Sequence, residues 1–556
     1  MMTLSSCDDF LGQLPDNRID PSTPKQLQLM LADGYMGSDY ATMCELSSDN
    51  VVDNHAPDSQ GTTYEATGSY DPILDQFFAW EDANMSSKQD SPTAVWSQAY
   101  HAIAVANHAL KKIEEFKAEG KYTSGDDHDR MNAAYGEALL IRAYHHFVLV
   151  NLFAKQYGKT SSTDQGVPYC TEPEDKVQVS YDRGTVAEDY DKIEADMLEG
   201  LKYVTDQYYS VLRYHFNTTA ANAFAARFYL YKRDYKKAEQ YATAALGADP
   251  SQKMRSEYWA TSFTSLNSDC TTYFSSASAS NFLLIPTNST AFLAMCNNYY
   301  AEGARYACNR EGATATLYGY GPVWNTNFMP TFSQHLYVNS KQEYGLWPSW
   351  MYMMFEYTDK VAGIGYPKRM RAEFTGEETL LTRAEARIFM GDYNGAISDM
   401  NIWLKSHDTD KSNPLEELTS TNLLSFYNKD NATSNARDPR STILNDLNIE
   451  DVCAPAEGND SYKYTADKLP YLWCVLHLRR IDQVFTGTRW FDIKRYGIEL
   501  THKIGRTRTE TLTINDPRRA FQIPTEAIQA GLTPTPRTVK GVSESSMVRA
   551  NFGLEK

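Results

Sequence analysis

The sequence has no run of about 20 apolar residues, the length that crosses a bilayer as a helix. It also lacks a basic excess, because 53 Lys and Arg stand against 71 Asp and Glu and give a net charge of −18. Nucleic acids and anionic membrane surfaces are bound through Lys and Arg. We therefore exclude nucleic acid and a polybasic membrane contact as partners. An uncharged, hydroxyl-rich ligand would not be repelled.

Recognisable catalytic and metal-binding motifs are also missing. None of the eight Cys forms a C-x-x-C pair, and no G-x-S-x-G, H-E-x-x-H or phosphate-loop motif occurs. The acidic pairs Glu377-Glu378 and Glu416-Glu417 are interpreted as solvated helix starts. We predict no catalytic residue, no metal site and no cofactor. Setting Cys7 aside leaves seven Cys, an odd number, so we expect most of them to be free and buried.

Aromatic residues are abundant, with 38 Tyr and 9 Trp, and 23 Phe, Trp and Tyr fall between Glu257 and Tyr366. An aromatic ring can pack against the C–H face of a sugar while polar groups bond its hydroxyls. Four Trp lie in helical patterns and are expected in the core: Trp96, Trp403, Trp473 and Trp490. The predicted ligand-binding residues lie in irregular segments and are, in order, Trp324, Trp350, Trp347, Tyr320 and Trp80. The alternative is that these rings form a small aromatic core of their own.

Apolar residues at three- and four-residue steps predict a mostly α-helical chain. The first long helix is expected over 91–117, with Ser91 as N-cap and Pro92 at the first helical position. Two more are expected over 130–156 and 185–205.

Two further segments fit the tetratricopeptide helix-turn-helix pattern. Residues 219–250 have small or aromatic residues at the required offsets, and 381–405 repeat the pattern around Gly391-Asp392-Tyr393. Because Tyr235 and Tyr393 are far apart in sequence, we predict dispersed helical pairs with long loop insertions rather than a tandem array.

The chain opens with Leu4-Ser5-Ser6-Cys7-Asp8, which reads as the end of a lipoprotein signal. Cys7 is the predicted site of lipidation. A chance Cys near the terminus is the alternative. If Cys7 is lipidated, the protein is held at a membrane by its lipid alone.

Taken in order along the chain, several motifs resemble those of the SusD/RagB-like outer-membrane nutrient-binding lipoproteins. The residues that carry the resemblance are Trp96, Tyr100, Ile103 and Asn107, then Gly136-Glu137-Ala138, Arg142-Ala143-Tyr144, Phe147, Gly166-Val167-Pro168-Tyr169, Arg383-Ala384-Glu385-Ala386, the run from Gly487 to Gly497, and Ile523-Pro524-Thr525-Glu526. The run at 487–497 is the most specific. The acidic residues usual before its Arg489-Trp490 are absent, and Gly531 to Pro534 lack the usual Asn-Pro, which indicates a divergent branch.

The resemblance implies a single SusD-like domain with a tetratricopeptide-like α-α superhelix. Its predicted parts are a lipoprotein start and tether at 1–22 and the domain at 23–556, with a helical scaffold at 91–250 and 376–405, ligand-binding insertions at 36–90, 251–375 and 406–467, and a C-terminal signature region at 468–537. In the signature, Arg489, Asp492 and Arg495 are expected to form an ion-pair row, with Trp490 packed inward.

The resemblance also implies a function. The chain is expected to be a surface-exposed, lipid-anchored protein of the outer membrane that captures an oligosaccharide without catalysis. It would pass the ligand to a SusC-like TonB-dependent transporter. Capture of a peptide or glycoprotein, as in RagB-like members, is the alternative within this architecture. A surface glycoside hydrolase and a periplasmic scaffold are the alternatives of other classes.

Overall fold

The computed structural model describes most of the chain. The described residues are 20–58, 61–63, 71–84, 88–173, 181–296, 304–314, 316–317, 319–324, 336–338, 345–409, 412–431, 439–453 and 462–537. Cys7 and the predicted tether up to residue 19 lie outside them.

Helices make up about 51% of the structure, which confirms the predicted mostly α-helical class. The α-helices in chain order are α1 Pro24–Leu31, α2 Ala41–Leu46, α3 Ile73–Phe78, α4 Pro92–Ala118, α5 Asp126–Phe153, α6 Val186–Gly200, α7 Thr218–Lys232, α8 Tyr235–Leu246, α9 Ser256–Trp259, α10 Leu266–Tyr273, α11 Ala291–Met295, α12 Arg310–Thr314, α13 Gly376–Met390, α14 Tyr393–His407, α15 Ser420–Phe426, α16 Arg440–Ile443, α17 Ile449–Val452, α18 Leu469–Asp482, α19 Thr488–Tyr496 and α20 Thr525–Gln529.

Local sequence explains where the long helices begin. The Ser91 side chain accepts a hydrogen bond from the Ala94 amide at 3.1 Å, and Pro92 opens α4, as predicted. Helix α6 begins after a capping box in which Thr185 and Glu188 satisfy each other's backbone amides. Helices α5 and α6 end three and five residues earlier than predicted, at Phe153 and Gly200.

The tetratricopeptide-like pairs form as predicted. Helix α7 packs on α8, α13 packs on α14, and α8 packs on α13, so two pairs that are distant in sequence are adjacent in space. The rings of Tyr235 and Phe389 stack between them with centroids 4.1 Å apart. Tertiary packing therefore reunites the scaffold that the 251–375 insertion divides.

Strands are few, and most of them lie in that insertion. They are β1 Val52–Asp53, β2 Asn281–Asn288, β3 Tyr306–Ala307, β4 Leu336–Val338, β5 Leu346–Pro348, β6 Met354–Asp359, β7 Ile364–Thr375, β8 Leu500–Ile504 and β9 Arg508–Leu512. The main sheet is antiparallel in the order β2-β7-β6. Sequence periodicity did not predict this sheet.

Buried ion pairs surround the N-terminus of α13, and one sequence interpretation is wrong here. Glu377 and Glu378 were expected to be solvated, but both are buried. Glu377 Oε2 lies 2.5 Å from Arg255 Nη1, and Glu378 Oε2 lies 2.5 Å from Arg227 Nη2. The N-terminus of α13 is covered by the insertion, so these carboxylates need protein cations in place of water.

In the C-terminal signature, Trp490 is fully buried, as predicted. The expected ion-pair row is only partly formed. Asp492 pairs with Arg495 at 2.6 Å, whereas Arg489 pairs with Asp49 at 2.8 Å, which ties α19 to the N-terminal region.

Among the described residues, six Cys are free thiols in the interior: Cys44, Cys270, Cys296, Cys308, Cys453 and Cys474. No described helix is long and apolar enough to span a bilayer.

Candidate functional site

An aromatic hairpin made of β6, β7 and the turn at 360–363 projects from the insertion with much of its apolar surface in solvent. All six side chains of β6 are exposed. The turn is built locally: the Asp359 carboxylate accepts the backbone amides of Val361 and Ala362 at 2.8 and 3.0 Å, and Gly363 has φ +67°. A left-handed residue at that position favours glycine.

Strand alternation divides the hairpin into two faces. Phe355 lies opposite Pro367, and Tyr357 lies opposite Gly365, so these four residues share one face. Phe355 is 44% exposed and Tyr357 is 51% exposed. Their ring centroids are 4.9 Å apart at an interplanar angle of 69°. We call these two rings the aromatic corner.

The absence of a side chain at Gly365 shapes this corner. A Cβ added there would collide with the Glu356 carbonyl oxygen and come within 2.7 Å of the Phe355 ring. The Phe355 ring therefore lies close over the Gly365 backbone. The other side of the Phe355 ring faces solvent next to Tyr357, so a small apolar surface lies beside the Tyr357 hydroxyl.

The opposite face of the hairpin is also partly apolar. Met354, Ile364 and Tyr366 are exposed, and Tyr366 lies opposite Glu356 in the sheet. The Lys368 ammonium pairs with the Glu356 carboxylate. The hairpin thus carries apolar rings on both faces and one exposed ion pair.

The root of the same strand is buried and charged. Arg369 and Arg371 share a face with Pro367, and both pair with Asp39, at 3.1 and 2.9 Å. Arg369 also donates to the Phe485 carbonyl at 2.9 Å. These contacts attach β7 to the N-terminal region and to the end of α18, so the exposed hairpin extends from a fixed base.

A second set of charges completes that base. Arg227 on α7 lies 2.6 Å from Glu373 Oε1 and also pairs with Glu378. Burial alone would raise the pKa of Glu373, but Arg371 and Arg227 hold it below the ordinary value. Glu373 is therefore ionised, and the network is electrostatically matched.

A cavity of about 40 Å³ lies beside this network, lined by residues that include Arg227, Trp350, Arg369 and Asp482. That volume holds a few water molecules and is too small for a sugar ring. Burial and the neighbouring Glu377 raise the pKa of Asp482 to about 7. Within the described part of the chain, no group of three or more His, Cys, Asp or Glu is placed to hold a metal ion.

The tryptophans that the sequence predicts as ligand-binding residues are buried in the structure. Trp324 and Trp350 are 4% and 2% exposed. The Trp324 indole N–H donates to the Gly319 carbonyl at 3.1 Å, and that of Trp350 donates to the Val484 carbonyl at 3.1 Å. Large indole rings that find backbone acceptors gain most from burial.

The other predicted residues follow the same pattern. Trp347 is buried edge-to-face against Phe292, and Trp80 is buried in a stack on His502. Tyr320 is half-buried, and its ring centroid lies 6.1 Å from that of Phe426. These tryptophans therefore belong to the main hydrophobic core of the protein, so neither an exposed platform nor a separate aromatic core of the insertion describes them.

Sequence reasoning missed the hairpin, although a signal was present. Phe355 to Thr358 alternate apolar and polar residues, a four-residue turn that ends in Gly363 follows, and β-forming residues resume at Ile364. Such a pattern is typical of a hairpin. The prediction favoured tryptophan as the best stacking residue, and these tryptophans lie in the core.

Comparison with known proteins was made at the level of sequence and of fold. A sequence profile of the SusD-like family described as "Starch-binding associating with outer membrane" matches residues 9–230. Comparison with curated proteins finds no match.

Solved structures match over nearly the whole chain. A SusD superfamily protein from Bacteroides vulgatus has 18% identity and a TM-score of 0.60, covering 93% of this chain and 100% of its own. A SusD-like carbohydrate-binding protein from the same species has 13% identity and a TM-score of 0.53, covering 94% and 100%. A laminarin-binding SusD-like protein has 15% identity and a TM-score of 0.53, covering 92% and 98%. At such identities the likeness establishes the fold.

Proposed function

Because the chain belongs to the SusD-like family, we propose that it is a glycan-binding protein of the outer-membrane surface that captures its ligand without catalysis. The observation that carries this proposal is the aromatic corner of Phe355 and Tyr357. Two exposed rings, with centroids 4.9 Å apart on one face of the hairpin, offer a sugar ring an apolar surface that is already in place. Such preorganisation limits the entropy cost of binding.

The chemistry of the corner indicates the kind of glycan. The Phe355 ring offers a C–H-binding face, and the Tyr357 hydroxyl can bond a sugar hydroxyl. The net charge of −18 disfavours sulfated and uronic-acid glycans. We therefore propose a neutral oligosaccharide. Sugar-binding relatives of the same fold support this assignment.

The wider context is proposed from the family. The family description places these proteins with the outer membrane. We propose anchoring through a lipid on Cys7 and delivery of the ligand to a SusC-like TonB-dependent transporter. Co-purification of the acylated precursor with a TonB-dependent receptor encoded beside it tests the partnership. Release of the precursor into the soluble fraction by Cys7→Ala tests the anchor, and unchanged membrane retention would count against it.

The ligand proposal is tested by titrating the protein with a panel of neutral, sulfated and uronic-acid oligosaccharides. Stacking on an aromatic ring contributes roughly 1 kcal/mol, so Phe355→Ala or Tyr357→Ala should weaken the best neutral ligand several-fold. Tyr203→Ala is the matched control, because Tyr203 is a partly exposed ring in another part of the molecule. Equal binding by all three variants would refute the site.

The absence of catalysis has its own test. Chromatography of each oligosaccharide after long incubation should show no shortened product. New reducing ends that depend on the protein would favour the glycoside hydrolase alternative.

A further inference from the structure

The outer edge of β6 has unsatisfied hydrogen-bonding capacity. The sheet order is β2-β7-β6, so β6 pairs with β7 on one side, and among the described residues no strand pairs with its other side. An unpaired edge is a template for another strand. The edge is therefore a second feature of the hairpin, made of backbone atoms rather than rings.

Two hydrogen bonds show which residues present this edge. The Ser289 amide donates to the Pro367 carbonyl at 3.1 Å, and the Asn288 amide donates to Gly37, away from β7. Pro367 therefore turns its carbonyl toward the β2 side, and Lys368 turns its backbone groups toward β6. Since these directions alternate along an antiparallel strand, Phe355, opposite Pro367, points its N–H and C=O outward, and Tyr357, opposite Gly365, points its N–H outward just before the register shift that follows it.

The position of proline agrees with this assignment. Pro367 lies opposite Phe355 and has no N–H, but the missing donor would face the β2 side, so the ladder between β6 and β7 loses no hydrogen bond. The inner ladder is therefore carried by Met354 and Glu356. The donor and acceptor of Phe355 and the donor of Tyr357 remain for an added chain.

We propose that the β6 edge binds an extended oligopeptide as an additional antiparallel strand, with backbone hydrogen bonds to Phe355 and Tyr357. Strand addition to an exposed edge draws affinity from the main chain and specificity from alternate side chains. This binding mode goes beyond the proposed glycan function, because it uses backbone atoms of the two residues rather than their rings.

Charge selects the occupant. The protein carries a net charge of −18, and the Glu356 carboxylate on the edge strand is already matched by Lys368, so it is the net charge that favours a basic peptide. A second copy of this chain would bring its own net charge of −18 to the same edge and would be repelled. Side chains of the peptide that lie directly opposite Phe355 and Tyr357 would share the face of the aromatic corner, about 5 Å away. Aliphatic or hydroxyl-bearing residues at alternate positions fit there.

The test uses the whole protein and a seven-residue peptide of alternating threonine and valine with lysine at both ends and blocked termini. Titration calorimetry compares Tyr357→Ala, which removes the ring, with Tyr357→Pro, which removes the ring and the outward N–H. We expect Tyr357→Pro to bind the peptide at least tenfold more weakly than Tyr357→Ala. The same peptide fully N-methylated should not bind to the unaltered protein.

The outcomes separate this inference from the proposed function. Neutral glycans should bind equally to Tyr357→Ala and Tyr357→Pro, since both variants lack the ring. If neither variant binds glycan, the comparison of their peptide binding still stands. Equal peptide binding by the two variants, retained binding of the N-methylated peptide, or no peptide binding at all overturns the edge proposal. A dimer of the unaltered protein would also overturn the proposal if light scattering showed that Tyr357→Pro dissociates it, because a second copy would then occupy the edge.

Discussion

The insertion at 251–375 contains two sets of aromatic residues with opposite environments. Trp324, Trp347 and Trp350 are buried, whereas Phe355 and Tyr357, only a few residues further along, are exposed. The indoles of Trp324 and Trp350 find backbone acceptors in the interior. The hairpin rings extend beyond the point where β7 leaves the core. Whether an aromatic ring is exposed therefore depends less on the type of residue than on whether the scaffold covers that part of the strand.

The largest expected effect comes from Trp350→Ala, which should lower the free energy of unfolding by about 3–5 kcal/mol. The change opens a cavity beside Tyr273 and leaves the Val484 carbonyl without the indole donor. Tyr357→Ala is the exposed counterpart and should cost less than about 0.5 kcal/mol. Denaturant unfolding measures both, and similar values for the two would abolish the distinction between the buried and exposed rings.

The buried root of β7 should be nearly as sensitive. Arg371→Ala removes a cation that pairs with Asp39 and Glu373 and lies over the Tyr40 ring. Leaving those carboxylates uncompensated should cost about 3 kcal/mol. Lys368→Ala, three residues away on the exposed part of the strand, should cost less than about 1 kcal/mol. A cost for Lys368→Ala as large as that for Arg371→Ala would show that the hairpin is not an independent, solvent-exposed extension.

A smaller effect is expected within the hairpin. Gly365→Ala places a Cβ against the Glu356 carbonyl and the Phe355 ring, and should cost about 1–2 kcal/mol while displacing that ring. Gly363→Ala is the control, since it strains the turn at φ +67° but meets nothing within 4 Å. Glycan titration should weaken for Gly365→Ala and stay unchanged for Gly363→Ala. The reverse order would move the binding surface from the aromatic corner to the turn.

The smallest effect concerns pH. Burial and Glu377 raise the pKa of Asp482 to about 7, so between about pH 4 and 7 the folded protein holds a proton that the unfolded chain has released. That carboxyl therefore makes stability fall as the pH rises through this window. Asp482→Asn, which cannot ionise, should therefore reduce the fall. Thermal melts at pH 5 and pH 8 test this, and an unchanged difference in melting temperature would mean that Asp482 is ionised throughout.

How much the sequence could predict differs between the scaffold and the site. Helix α4 was predictable because its cap, its first proline and its apolar stripe are local. The tetratricopeptide-like pairs were predictable because small residues at fixed offsets specify close helix contact. The burial of Glu377 and Trp350 was not predictable, since their partners Arg255 and Val484 are more than a hundred residues away in sequence.

By itself, the sequence determined the helical class, the order of the scaffold helices, the resemblance to the SusD-like family and the position of an aromatic-rich insertion. These follow from periodicity and spacing, which act within one or two helical turns. Only the tertiary structure decided which rings are exposed and where the charges at 369–378 find their partners. Burial depends on which distant segment covers a residue, and the pairing of β7 with β2 leaves the tryptophans inside and the hairpin rings in solvent.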